Sequence, residues 1–247
     1  DNNNLIKLIF NRSARKGDDM DIRYSDFQGT ESENEIINIA EFSFNHYFQP
    51  GHFIATLYYQ DVSVLSFSTT LFATRDIGRY KAGGLDLEYE FTYGPHTLNT
   101  SYGYADMYDF VVGPGGGDQN FTAQPYGYGS DFTHWAKHTL KGTYLYQMNN
   151  TLSLNASLRV LGNFNGAQNM ALAYTAGVVP ASNAHERDIN AGYDKAFKPS
   201  VFLNIGANYN FSDHIKVSLQ GINLLGLIDK DFNKRNFLAG RGADYRS

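Results

Sequence analysis

The stretch Lys81-Ala82-Gly83-Gly84-Leu85-Asp86-Leu87-Glu88-Tyr89-Glu90-Phe91-Thr92-Tyr93 divides into two sets with a period of two. Lys81, Gly83, Leu85, Leu87, Tyr89, Phe91 and Tyr93 form one set; Ala82, Gly84, Asp86, Glu88, Glu90 and Thr92 form the other. A helix, turning about 100° per residue, would mix the two sets, whereas a strand presents them to opposite faces. The division returns at 152–161, where Leu152, Leu154, Ala156, Leu158 and Val160 oppose Ser153, Asn155, Ser157, Arg159 and Leu161. It returns again at 201–211. Segments near 35–48, 53–66, 96–109, 137–148 and 214–225 follow with lapses, and 4–11 more weakly, so the pattern predicts about nine strands.

The connections are sorted by length. Tight ones fall at Gln49-Pro50-Gly51-His52, Gly94-Pro95, Asn149-Asn150 and Ser212-Asp213, all turn chemistry. Long ones fall near 12–34, 67–78, 110–136, 164–198 and from 226 onward. Strict alternation of long and short puts every tight turn of an up-and-down meander at one end. A Greek-key sandwich has no reason to sort its loops this way, whereas outer-membrane barrels do. The segments run about 11–15 residues, longer than the roughly 5–6 of ordinary strands and enough for the roughly 9–11 of a tilted membrane crossing. Tyr47, Phe48, Phe53, Phe91, Tyr93, Tyr209 and Phe211 crowd the tight-turn ends, where an interfacial girdle belongs.

Composition agrees. The 247 residues contain no cysteine, which excludes a disulfide scaffold, a thiolate zinc site and a cysteine nucleophile. A net charge of -5 points away from nucleic acid. No apolar run approaches the roughly 18 residues of a spanning helix. The opening Asp1-Asn2-Asn3-Asn4 has no signal-peptide character and reads as the middle of something longer. An odd strand count, with the chain ending on the long-loop side, would leave two open edges in lipid. Each unsatisfied backbone group there costs several kcal/mol. Further strands are therefore expected before residue 1 and after residue 247.

Four stretches carry a more specific pattern. Leu5 to Arg15 ends in Phe10-Asn11-Arg12-Ser13-Ala14-Arg15; Phe53 to Val62 ends in Tyr58-Tyr59-Gln60-Asp61-Val62. Arg79 to Tyr89 contains Lys81-Ala82-Gly83-Gly84-Leu85-Asp86-Leu87-Glu88, and Val217 to Leu225 ends in Gly221-Ile222-Asn223-Leu224-Leu225, with Asp229-Lys230-Asp231-Phe232 after it. In this order, over nearly the whole chain, they resemble the C-terminal barrel portion of TonB-dependent outer-membrane receptors. Asp86 stands where that pattern carries its first glutamate. The family's plug domain, energy-coupling segment and closing aromatic strand have no counterpart in these residues. The resemblance implies that residues 1–247 form about strands 13 to 21 of a 22-stranded, plugged barrel. It also implies a ligand captured at external loops (an iron chelate, cobalamin, a glycan or similar), energy from the TonB-ExbB-ExbD complex through the plug, and a bacterial outer membrane with its bilayer and lipopolysaccharide. Neither a cofactor nor an enzymatic activity is implied.

Asp86, Glu88 and Glu90 recur at about 7 Å along one strand face. That spacing suits a glycosidase pair, a cation-attracting strip, or the polar wall of a lumen; the last is what a barrel needs, and Arg159 falls on the corresponding face of its own strand. The seven histidines lack ligand spacing, including His134 and His138, so no metal site is expected. Gly113-Pro114-Gly115-Gly116-Gly117-Asp118 lacks the lysine and the strand-to-helix setting of a phosphate loop. Asp18, Asp19 and Asp21 complete no calcium loop. The segment 110–136 concentrates Phe110, Phe121, Tyr126, Tyr128, Phe132, His134 and Trp135 among glycines. Such aromatics either stack on a ligand or pack loop against loop over the barrel mouth. Segment 164–198, with Asn163 before it, adds Gln168, Asn169, His185, Arg187 and Asp188 for polar contacts. The ligand-contact candidates are Phe121, Tyr126, Tyr128, His134, Trp135, His185 and Arg187; the lumen-lining candidates are Asp86, Glu88, Glu90 and Arg159.

The whole reads as an all-β, antiparallel, up-and-down transmembrane barrel, present here as an incomplete section. The rival functions are a porin-like channel without TonB coupling, a soluble carbohydrate-binding β-protein and, most distant, an enzyme embedded in the barrel.

Overall fold

The computed structural model describes residues 3–16, 23, 27, 34–68, 73–113, 123–124, 127–132, 135–178, 199–212 and 214–227. Nine strands form a single sheet in chain order, every neighbouring pair antiparallel. They are β1 (Asn4–Lys16), β2 (Asn34–Phe48), β3 (Gly51–Ser68), β4 (Ala73–Tyr93), β5 (His96–Val112), β6 (His138–Gln147), β7 (Leu152–Gly162), β8 (Ser200–Asn210) and β9 (Lys216–Gly221). One α-helix, α1 (Asn165–Thr175), lies between β7 and β8, and Leu224–Leu227 makes a 3-10 turn after β9. The sheet is not closed: among the described residues, β1 and β9 are each paired on one side only.

Register makes the alternation of separate strands add up. One rung of directly opposed residues runs Leu5, Asn45, Ile54, Glu88, Ser101, Lys141, Arg159, Phe202. The next rung along, on the opposite face, runs Ile6, Phe44, Ala55, Leu87, Tyr102, Leu140, Val160, Val201. A slip of one residue in β4 or β6 would drop Glu88 or Lys141 into the apolar rung, so the pattern itself favours this register. The apolar face is uncovered: Leu8 is 67% exposed and Leu219 76%. A soluble fold would bury such a face, and lipid is the solvent it suits.

The tight-turn ends carry a ladder of rings on the apolar face. Phe48 stacks on Tyr89 at 6.1 Å, Tyr89 on Phe91 at 6.3 Å, and His96 on Tyr146 at 5.0 Å. His46 and His96 join this girdle. Tyr47 is an exception, since its register partner His52 puts it on the polar face.

Four expectations need revision. The stretch 67–78 is not a long connection: β3 continues to Ser68 and β4 begins at Ala73, separated by residues 69–72. Pairing persists there because a bulge between Val64 and Leu65 absorbs an extra residue and keeps the ladder going. The segment 164–198 contains α1, whose buried residues Ala167, Met170, Ala171 and Ala173 follow helical spacing after the buried Phe164. Strand β9 is shorter than expected, giving way to the 3-10 turn, while β1 is longer.

Candidate functional site

Beyond the apolar band, toward the ends away from the tight turns, the faces of β2 to β5 exchange character. On the face that carries Glu88 lower down, Val62, Val64, Ala82, Met107 and Phe110 are buried. Val62 packs with Ile37 and Tyr80. On the opposite face, one rung reads Arg12, Asn38, Asp61, Lys81, Asp109. Arg79 Nε donates to Asp61 Oδ1 at 2.6 Å and Lys81 Nζ meets Asp109 Oδ2 at 2.9 Å. The sheet is thus apolar outside and polar inside along the band, and apolar inside and charged outside above it. A collar of this kind is what water on both sides of the upper wall requires, provided something covers the inner apolar patch.

The cover over Tyr80 and Phe110 comes from the β5–β6 connection, against which α1 of the β7–β8 connection packs in turn. Phe132 meets Tyr80 edge-on at 4.9 Å and Phe110 at 6.4 Å, and stacks on Trp135 with centroids 5.3 Å apart and planes 4° from parallel. Gly166 opens α1 directly against the Phe132 carbonyl, a place where any Cβ would clash with backbone. Tyr128 packs on a cluster of Ala123, Met170 and Ala173. Lys137, just before β6, pairs with Asp106 and, at 3.3 Å, with Asp131, tying this connection to β5. Burial alone would lower the Lys137 ammonium. The hydrogen bond to Asp106 and the charges of Asp131 and Asp106 outweigh it and hold the group above the ordinary lysine value.

Below the collar lies the polar wall. Much of it is knitted by neutral hydrogen bonds: Thr56 Oγ1 donates to Ser43 Oγ at 3.1 Å, Asn204 Nδ2 to Ser157 Oγ at 3.0 Å and Ser218 Oγ to Asn208 Oδ1 at 2.8 Å. The stretch around β4 differs. Asp86, Glu88 and Glu90 share one face of β4, with only a 4.0 Å approach of His52 to Glu90 as an ion pair among the described residues. Lys141 occupies the rung of Glu88, one residue beyond Ser101. Arg159 follows on the same rung and lies over the Phe202 ring at 4.5 Å. Glycines make room here: the Asp86 carboxylate lies 2.9 Å from where a Cβ on Gly103 would stand, and the Tyr58 ring covers Gly84.

A depression of about 390 Å³ sits between collar and wall, and its lining includes Asp86, Glu88, Ser101, Trp135, Thr139 and Lys141. The structure therefore brings Trp135 together with Asp86 and Glu88, residues that the sequence reading kept in separate groups. Tyr128 is engaged in loop packing instead, and Arg159 lies farther along the wall. Phe121, Tyr126, His134, His185 and Arg187 lie outside the described residues, as do Asp18, Asp19, Asp21 and 114–118. Lys141 and Ser101 were missed, because their place beside Glu88 depends on cross-strand register that no single strand reveals. Among the described residues, no group of three or more His, Asp or Glu is placed to hold a metal ion.

No family model and no curated protein sequence matches the chain. Solved structures do. The ferric-catecholate import receptor Fiu of E. coli K12 matches with a TM-score of 0.59 at 13% identity, over 91% of this chain and 29% of its own. The FrpB iron transporter of Neisseria meningitidis (F3-3 variant) matches at 0.60 with 13% identity, over 91% and 32%. The copper transporter OprC matches at 0.56 with 12% identity, over 90% and 31%. The chain thus spans about a third of the length of these proteins, which are TonB-dependent receptors, and has the fold of a section of their barrel wall.

Proposed function

We propose that residues 1–247 are the C-terminal section of the barrel of an outer-membrane receptor that takes up a scarce ligand, an iron chelate or similar nutrient, by TonB-coupled transport. The observation that carries the reading is the opposition of adjacent rungs: Ile6 through Val201 apolar on one face, Glu88 through Arg159 polar on the other. Likeness to receptors for ferric catecholate and copper supports the transport class. In this reading the tight turns face the periplasm, and the collar stands outside the cell near the lipopolysaccharide headgroups. The charged rung from Arg12 to Asp109 would mark the upper edge of the hydrocarbon. Further strands would pair the free edges of β1 and β9, since several unpaired backbone groups per edge would cost tens of kcal/mol in lipid.

The mechanism follows from placement. Collar and neighbouring loops capture the ligand, the wall presents hydrogen-bonding groups along its path, and a plug coupled to TonB-ExbB-ExbD opens the way. None of the wall residues is required to make or break a bond. The test is uptake of radio-iron chelates by cells producing the complete protein, with and without TonB and a protonophore. Accumulation that TonB loss or the protonophore abolishes is expected. Passive flux indifferent to both would instead indicate a porin-like channel.

A further inference from the structure

Resting on the receptor reading, we propose that the depression under the collar is a subsite for a polyhydroxylated ring, a pyranose above all, borne by the ligand. Its lining carries the three features such a ring needs on one wall. Trp135 offers a flat apolar surface for the C–H face of the ring, and its parallel stack on Phe132 fixes the plane of the indole in advance. Asp86 and Glu88 are acceptors, Lys141 is a donor, and Ser101 and Thr139 are both. A sugar hydroxyl is likewise donor and acceptor, so adjacent hydroxyls can give to a carboxylate and take from the ammonium.

The signs of the charges decide against fully ionic ligands. The lining is of mixed sign, with Asp86 and Glu88 beside Lys141 and Lys137, the last already paired to Asp106 and Asp131, so an anionic chelate would face the carboxylates and a compact cation the ammoniums. A neutral ring with hydroxyls around its edge meets neither penalty. Size agrees: about 390 Å³ falls within the roughly 300–1,000 Å³ of small-molecule sites. The absence of a side chain at Gly103 contributes, because a Cβ there would press on the Asp86 carboxylate and narrow the floor.

The test uses the complete protein in detergent, with 5-fluorotryptophan introduced biosynthetically. The position 135 resonance is assigned from the Trp135→Phe variant; Trp135 is the only tryptophan of these 247 residues. Probes are maltotriose, cellotriose and mannotriose, with the sugar-free ferric complex of desferrioxamine B as control. At least one trisaccharide should shift the Trp135 signal saturably, while the control leaves it in place. Affinity should fall at least about tenfold in Trp135→Ala and in the double variant Asp86→Asn, Glu88→Gln, since each removes a stacking surface or charged acceptors. Trp135→Tyr should retain part of the binding, and retained antibiotic-impermeable outer membranes would exclude gross misfolding. Three results would each overturn the subsite: no trisaccharide saturates, Trp135→Ala binds as well as the parent, or acrylamide fails to quench Trp135 because another part of the protein covers it. TonB-dependent uptake measured in parallel separates the two claims. Energised uptake without sugar binding sinks the subsite alone; sugar binding without energised uptake sinks the transport reading alone.

Discussion

Strand β4 contains two opposite designs. From Leu85 to Tyr93 its apolar side chains face outward and its carboxylates inward; from Gly78 to Ala82, Tyr80 and Ala82 turn apolar surface inward while Arg79 and Lys81 point out. The period of two never changes. What changes is which phase of it is apolar, and the difference teaches that the solvent on each side, rather than strand propensity, dictates the pattern. In the receptor reading, lipid lies outside along the band, where the opposite face is polar. In the collar that reading puts water outside, and the opposite face becomes a small core under Phe132, behind which α1 packs. A bulge at Tyr108, between Asp109 opposite Lys81 and Met107 opposite Ala82, lies at the switch.

The sharpest way to break the comparison is to damage one region and ask whether the other notices. Phe110 is 6% exposed and packs with Ala82, Met107 and Phe132, so Phe110→Ala should cost the collar about 3–5 kcal/mol, as large-to-small core substitutions do. Limited proteolysis should then cut within 123–135 while the band keeps its heat-resistant, compact migration on gels. Loss of both together would mean that collar and band form one cooperative unit.

The converse substitution is smaller in effect and opposite in address. Leu87 sits on the outward apolar rung with Ala55 and Tyr102. Leu87→Arg should destabilise folding into bilayers by about 2–4 kcal/mol, the range for a basic residue near the midplane of a barrel wall. Eight residues away, Arg79 occupies the same face at no such penalty because it lies above the hydrocarbon and pairs with Asp61. Folding titrations in lipid vesicles read the difference. Equal tolerance of arginine at 87 and 79 would remove lipid from the explanation.

The two regions also differed in how far the sequence revealed them. Band strands were legible because lipid and lumen impose one uninterrupted alternation on each; Lys81 to Tyr93 alone sufficed. The collar was not, since Val62, Tyr80 and Phe110 obey the same period while their meaning depends on Phe132 and α1, which arrive from distant connections. That is why 67–78 read as loop although β3 and β4 continue through most of it. The candidate site shows the same split. Asp86, Glu88 and Glu90 announce their shared face by spacing, but Lys141 reaches them only through the register of β5 with β6, and Trp135 only through the connection that leads into β6. Aromatic density marked 110–136 as important without separating Trp135, on the depression, from Tyr128, in the loop packing.

The smallest expected effect concerns the tie that holds the β5–β6 connection in place. Lys137 is raised above the ordinary lysine value by Asp106 and Asp131 despite its burial. A cation with a raised folded-state value contributes stability in full below the unfolded-state value of about 10.4, and loses it as pH climbs through the folded one. The contribution should be about 1–2 kcal/mol, modest because the Asp106 side chain is 35% exposed and water screens the pair. Hydrogen exchange of the amides in 127–132 should therefore stay protected through pH 9 and loosen above about pH 10.4, while amides of the β7–β8 pair hold. Tyrosines titrate nearby, so the control is Lys137→Met. It should lower protection at neutral pH and abolish the alkaline step, because Asp106 and Asp131 have then lost their cation already. An alkaline step of unchanged size in Lys137→Met would assign the loosening to the tyrosines and leave the collar held by Phe132 and α1 alone.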